Sequence, residues 1–261
     1  FAPDGGSVVM KYAESVTPSS DFKTWTVKLP KGAKWSSGDP FTTDDIMFWY
    51  VDALQNKDLM PSLPGWMTNK DGSLVEVKKV DDVTVQWNYK DPHTTFLFEL
   101  ANAEYGDKNI PCFLPSKFLK QFHASYAKKE DLDKAVALFQ EALRDAPDDA
   151  DAQIPIMGGW LLDAAPGATL DHLIDLLTEE GDGPRAPLLR RLVVRGCRHA
   201  PQALGARLHE AKGASAVALL RLLAEVDPAA ALHAAVEATT GDDPLVLREA
   251  LRHLEAAPFN P

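Results

Sequence analysis

The sequence predicts an α+β N-terminal module over residues 1–130, followed by an all-α, solenoid-like module of helical repeats over residues 131–261. Three observations predict this division. Basic residues change identity midway: residues 1–130 hold 15 Lys and no Arg, whereas residues 131–261 hold 2 Lys and 10 Arg. Exposed cations of either kind contribute little to stability, so the switch reports ancestry and marks two modules of different origin. Nineteen of the 22 aromatic residues, five of the six Trp among them, precede residue 131. The hydrophobic pattern alternates at period 2 in parts of the first half and repeats at helical spacing through the second.

In the first half, Trp25-Thr26-Val27-Lys28-Leu29 alternates apolar and polar side chains, the period of a half-buried strand. Pro30-Lys31-Gly32-Ala33 breaks it with turn chemistry. Phe41-Thr42-Thr43-Asp44-Asp45 then opens a helix. Thr42 is placed to cap it, Asp45 closes a box three residues on, and both acids favour the positive helix end. Phe41 is placed to staple onto Ile46, and the helix is expected to run to Ala53 or Leu54. Residues 74–79 and 83–89 form a second strand pair joined by Val80-Asp81-Asp82. Residues 93–101 and 115–127 are predicted helices.

The run W-T-V-K-L-P-K-G-A-K-W-S-S-G-D-P-F-T-T-D-D-I-M-F resembles the signature of the peptide-type (family 5) extracytoplasmic solute-binding proteins of ABC importers. Val80-Asp81-Asp82-Val83-Thr84-Val85 resembles a strand of that family, and residues 111–126 resemble its proline-led helix ending in Phe-His-x-x-Tyr. The resemblance covers residues 8–130. Ser37 stands where the family usually has Asp, and Asp39 where it often has Thr. The resemblance implies an extracytoplasmic protein, periplasmic or cell-surface, whose two lobes close around an oligopeptide or similar solute for delivery to an ABC permease. Only part of the first lobe is represented, and residues 131–261 offer no counterpart of the second. An excised lobe is expected to expose apolar surface that its partner strands would cover. The residues carrying the resemblance are themselves expected to be structural: Trp35, Gly38, Pro40 and Phe41 as turn and packing residues, Asp44 and Asp45 as helix-start acids. No ligand-binding residue is assigned. Trp66, in Pro64-Gly65-Trp66-Met67, is either an exposed loop aromatic or a core anchor.

In the second half, Ala135, Phe139, Ala142 and Pro147 match the second helix of a tetratricopeptide repeat, whose small residues let two helices approach. Helices follow over 169–180, 187–195, 201–211, 215–225, 228–239 and 244–256. Asp227-Pro228 and Asp243-Pro244 pair a capping Asp with Pro at the first helical position. Gly181, Gly196, Gly213 and Gly241 stand where helices should end. A 30-residue spacing relates Glu225 to Glu255 and Pro228 to Pro258, which resembles HEAT-type repeats that bury their apolar faces on neighbours. Such a module can serve as a protein-interaction scaffold, the alternative function for the chain.

Chemistry is sparse. No stretch of about 18 apolar residues spans a bilayer. A formal charge of −11 disfavours nucleic-acid binding. The chain opens on Phe1 without Met or a basic leader, as a processed or truncated protein would. Cys112 and Cys197 make neither a disulfide framework nor a zinc site and have no activating His nearby in sequence. His172, His199, His209, His233 and His253 lack the spacing of a helical metal site. Asp148, Asp149 and Asp151 lack the Gly and Glu of an EF-hand. Gly158-Gly159 and Gly181-Asp182-Gly183 lack a phosphate-binding context. Arg185, Arg190, Arg191, Arg195 and Arg198 are expected to form local ion pairs on a solvated face. No catalytic residue, metal or cofactor is expected, and the chain is read as a non-enzyme.

Overall fold

The computed structural model describes residues 10, 12–102, 112–145, 153–181, 183–198, 200 and 202–256, and the chain divides into two compact units, Phe1–Gln121 and Phe122–Pro261. In the first unit the alternating segment forms strand β2 (Thr24–Lys28). It lies inside a four-stranded antiparallel sheet with β1 (Ser15–Pro18), β3 (Glu76–Lys79) and β4 (Thr84–Asn88), in the order β1-β2-β4-β3. Strand β1 escapes sequence reading because Ser-Val-Thr-Pro carries one apolar strand former. Its pairing of Val16 opposite Val27 is a tertiary choice.

The period-2 pattern sorts the two faces of the sheet. Trp25, Val27, Val77, Val85 and Trp87 are buried on one side. Helix α2 (Phe96–Asn102) places Phe96 there, fully buried, with ring centroids 5.1 Å from Trp25, 5.5 Å from Trp87 and 6.0 Å from Tyr89. On the other side Thr24 Oγ1 donates to Asn88 Oδ1 (3.0 Å), Asn88 Nδ2 to Glu76 Oε2 (3.3 Å), and Gln86 Nε2 to Thr26 Oγ1 (3.2 Å). The apolar surface expected of an excised lobe is therefore absent from the sheet, whose outer face is a polar ladder.

Helix α1 (Thr43–Phe48) starts at the expected cap, with the Thr42 side chain and Asp45 forming a complete capping box. Its continuation to Ala53 is a π-turn, closed by Leu54 N donating to Trp49 O over 2.8 Å. The 115–127 helix is shorter than expected. Helix α3 (Ser116–Leu119) gives way to a 3-10 turn at Lys120–Phe122, and the backbone N of Ser125 donates to His123 Nδ1 (3.1 Å). That side chain takes a backbone donor out of the helical pattern.

The second unit is helical throughout its described elements: α4 (Leu132–Asp145), α5 (Gln153–Ala164), α6 (Pro166–Glu180), α7 (Ala186–Cys197), α8 (Gln202–Glu210), α9 (Gly213–Val226), α10 (Pro228–Ala238) and α11 (Pro244–Ala256). Asp227 caps α10 by accepting from Ala230 N, and Asp243 caps α11 by accepting from Leu245 N, both at 3.0 Å. Gly181 ends α6 with φ 60°. Gly196, expected at a helix end, lies in the last turn of α7, one residue before Cys197. It faces the buried Leu162 and Leu170, where any β-carbon would collide with their methyl groups. Gly213 opens α9 rather than ending a helix, and Gly241 lies in the turn beyond α10. Ala135 and Phe139 lie on the buried face of α4, with Ala142 half-buried. Pro147, Asp148, Asp149, Asp151, Asp182, His199 and Pro258 lie outside the described residues.

Buried Glu249 ties the last helices together. Arg221 grips its carboxylate with two 2.8 Å bonds, Nε to Oε1 and Nη2 to Oε2. Arg221 chiefly, with help from Arg252 and His253, holds this carboxyl below its usual range despite burial. A lowered folded-state pKa stabilises the fold above the unfolded carboxyl value of about 4.3, and that stabilisation is lost as the pH falls through the folded value. Thermal melts followed by circular dichroism between pH 6 and pH 3 are expected to show a shallower acid loss for Glu249→Gln than for the parent chain. Parallel curves would remove Glu249 from the acid response.

Candidate functional site

The signature residues of the first unit converge on Asp45, which is 3% exposed. Its Oδ2 accepts from Thr42 N and from Trp35 Nε1, each at 3.0 Å, and its Oδ1 accepts from Ser116 N at 2.9 Å. Trp35 packs edge-on against Phe41 at 5.2 Å, and both rings meet Phe113. Phe41 thus finds an aromatic cluster at the helix entry. Gly38 takes φ 87° in the turn that Gly38 N closes onto Trp35 O (2.9 Å), a conformation that favours glycine. Within this turn Ser37 Oγ donates to Asp39 Oδ2 (3.0 Å), and Lys117 pairs with the other carboxylate oxygen. Ser37 and Asp39, the two departures from the pattern of the resemblance, thus face each other across this turn. Lys117 and Ser37 together hold the Asp39 carboxyl below its usual range.

Trp66 is half-buried and stacks on the buried Trp49 at 5.9 Å with planes 5° apart, so it anchors the core. Tyr89 OH donates to Trp66 O (2.8 Å), which fixes the turn that carries it. Each signature side chain here has a packing or hydrogen-bonding duty.

In the helical unit the Arg residues reach across helices. Arg195 Nη2 meets Asp163 (2.9 Å), Arg190 Nη2 meets Glu225 (2.6 Å), and Arg207 Nη2 meets Asp175 (2.9 Å). Arg185 pairs with Glu180 (2.5 Å) and donates from Nη1 to Leu143 O (3.1 Å). Arg fits these sites because its fork donates along several directions at once. Cys197 is fully buried, and burial pushes its thiol up to about 11, which keeps it unreactive near neutral pH. Burial also lowers the His172 pKa, favouring the neutral ring. Among the described residues no group of three His, Cys, Asp or Glu side chains could hold a metal ion.

Sequence reading missed a groove of about 640 Å³ between α8 and α10, floored by α9. Leu220 and Leu223 form its floor, and Ala230, Ala234 and Ala238 form the α10 wall. These alanines recur every four residues, a signal visible in sequence but indistinguishable there from ordinary helix packing. His209 and Lys212 lie on the α8 side, and His233 and Glu237 on the α10 side. Its volume falls within the range of about 300–1,000 Å³ usual for ligand pockets.

Residues 7–131 match the family model described as bacterial extracellular solute-binding proteins, family 5 Middle. The periplasmic α-galactoside-binding protein of Rhizobium meliloti is 32% identical over 150 residues, 57% of this chain and 19% of that protein. The periplasmic oligopeptide-binding protein OppA of Haemophilus influenzae is 58% identical over 36 residues, 14% of this chain and 7% of that protein. Among solved structures, an oligopeptide-binding protein OppA gives a TM-score of 0.42 at 34% identity, covering 50% of this chain and 19% of that chain. This chain therefore spans about a fifth or less of those relatives' own lengths. The N-terminal region is related to family-5 solute-binding proteins. Among the described residues no helix is long and apolar enough to cross a membrane.

Proposed function

We propose that the N-terminal region serves an extracytoplasmic, non-enzymatic solute-binding role in ABC-type import, with an oligopeptide as the solute and an ABC permease as the acceptor. The match over residues 7–131, whose signature side chains assemble around one buried carboxylate, carries this reading. The matched relatives are named for oligopeptide, α-galactoside or nickel binding, and the peptide-type signature favours the peptide. The residues given span about a fifth or less of these relatives' lengths, so the affinity of this chain is expected to be weak. A di- to pentapeptide library at millimolar concentration is expected to raise the melting temperature saturably. At one hundred times the dissociation constant the stabilisation would be about 2.7 kcal/mol. A shift with α-galactosides and none with peptides would reassign the solute, and no shift with either would overturn the reading.

The groove favours a second reading for the helical unit, a HEAT-like stack that acts as a protein-interaction scaffold. Links between residues about one repeat apart support it: Arg195 to Asp163, Arg207 to Asp175, and Gly213 N to Asp243 Oδ2 at 2.7 Å. Helices that bury their apolar faces on neighbours leave such grooves along the stack.

A further inference from the structure

We propose that the groove between α8 and α10 seats the apolar face of an amphipathic, net-basic α-helical peptide, with Leu-sized side chains against the part-exposed Leu208, Ala230, Ala234 and Ala238 and Lys or Arg heads on an acidic margin. This rests on the scaffold reading and names the partner that the scaffold would hold.

The groove decides the partner's conformation first. Its walls are helices, whose backbone donors and acceptors are bonded internally, so an extended strand finds no edge to pair with. A helix needs no such edge and can present side chains at i, i+3 or i+4, and i+7. The floor decides which face enters. Leu220 is fully buried within a core cluster that includes Ala235 and Ala250, with Leu208, Ala234 and Ala238 packed against it. The groove bottom is thus continuous with the core and favours apolar side chains.

Charge decides the rest. Glu237 lies on the α10 wall, and Asp242 and Asp243 on the turn that follows it, against Lys212 on the opposite side. Asp243 accepts from the backbone N of Gly213 and of Leu245, which holds its carboxyl below the usual range and fixes a negative charge there. Residues 131–261 carry a formal charge of −9, so their field attracts a cationic partner and disfavours a second copy of the same unit.

Fluorescence anisotropy on the full chain tests this with three labelled designed peptides. The first has a Leu face and a Lys/Arg face; the second keeps the Leu face and replaces the basic residues by Glu; the third is the basic peptide broken by central Pro residues. The basic helix is expected to bind saturably, roughly ten-fold or more tighter than the acidic one, with affinity falling as salt rises. Ala234→Trp, which fills the groove, is expected to abolish binding. Glu237→Lys combined with Asp242→Lys, at two exposed positions that leave folding intact, is expected to weaken the basic peptide at least about five-fold. If Ala234→Trp fails to fold, that exposed double variant still decides. Equal binding of the basic and acidic helices would overturn the basic assignment while leaving the scaffold reading in place. Equal binding of the Pro-broken peptide would reduce the effect to unspecific charge and overturn the proposal. Unchanged affinity in both variants would place the peptide elsewhere and overturn it too, and binding of none of the peptides would remove the scaffold reading itself.

Discussion

Asp45→Ala is expected to unfold the first unit at room temperature or bring it close to unfolding. The carboxylate is buried and satisfies Thr42 N, Trp35 Nε1 and Ser116 N at once. Alanine would leave those donors without this acceptor, at about 1–3 kcal/mol for each one that water cannot reach. Three such donors total on the order of 3 kcal/mol or more, a large part of the whole stability of an ordinary domain. Asp45→Asn keeps one acceptor oxygen but turns an amide N–H₂ toward donors, so an intermediate loss is expected. Asp44→Asn is the control. Asp44 is exposed and meets Lys79 in a 2.8 Å surface pair, worth under about 1 kcal/mol. Urea denaturation followed by Trp fluorescence, to which this unit contributes five of the chain's six Trp, measures all three. Equal stability of Asp45→Ala and Asp44→Asn would contradict the placement of Asp45 as a hub.

The second large effect lies at Gly196 in α7. A β-carbon there would stand 2.7 Å from Leu162 Cδ2 and 2.9 Å from Leu170 Cδ1. Both leucines are buried, so neither methyl can swing away into solvent. Alanine gains about 1 kcal/mol in helix propensity but overpacks the contact at about 1–3 kcal/mol, for a small net loss. Gly196→Leu adds three more carbons to the same space and is expected to abolish cooperative folding of the helical unit. Gly205 in α8 gives the opposite sign, because nothing lies within 4 Å of where its β-carbon would be. Gly205→Ala is expected to stabilise by up to about 1 kcal/mol. Thermal denaturation monitored at 222 nm separates these outcomes. A stabilised Gly196→Ala would show that α7 can shift away from Leu162 and Leu170.

These residues also mark how far the sequence carries. Thr42 and Asp45 were legible because a capping box is written within four residues, and α6 to α11 were legible because apolar spacing, Pro and capping acids agree locally. The third bond to Asp45 comes from Ser116, 71 positions away, which local spacing cannot report. Gly196 was legible as a helix-end glycine from local chemistry, but its close approach to Leu162 and Leu170 was not. Helix α5 passed without assigned bounds because its apolar residues surround it on all sides, from Ile154 and Ile156 to Trp160 and Leu162, leaving little periodicity to read. The arginines were expected to pair locally, whereas most of those with partners reach a helix about 30 residues away. The groove, formed by three helices of which one is the floor, has no sequence-local signal that sets it apart from ordinary helix packing.

Limited trypsin digestion tests most directly the proposed division into a region similar to solute-binding proteins and a separate helical unit, joined near residue 130. Lys128 and Lys129 are exposed, close to the division at Gln121 and Phe122. First cleavage is expected there, or elsewhere between residues 127 and 152, leaving two resistant fragments that each melt cooperatively. First cleavage inside either unit, with residues 127–152 intact and one shared melting transition, would contradict it.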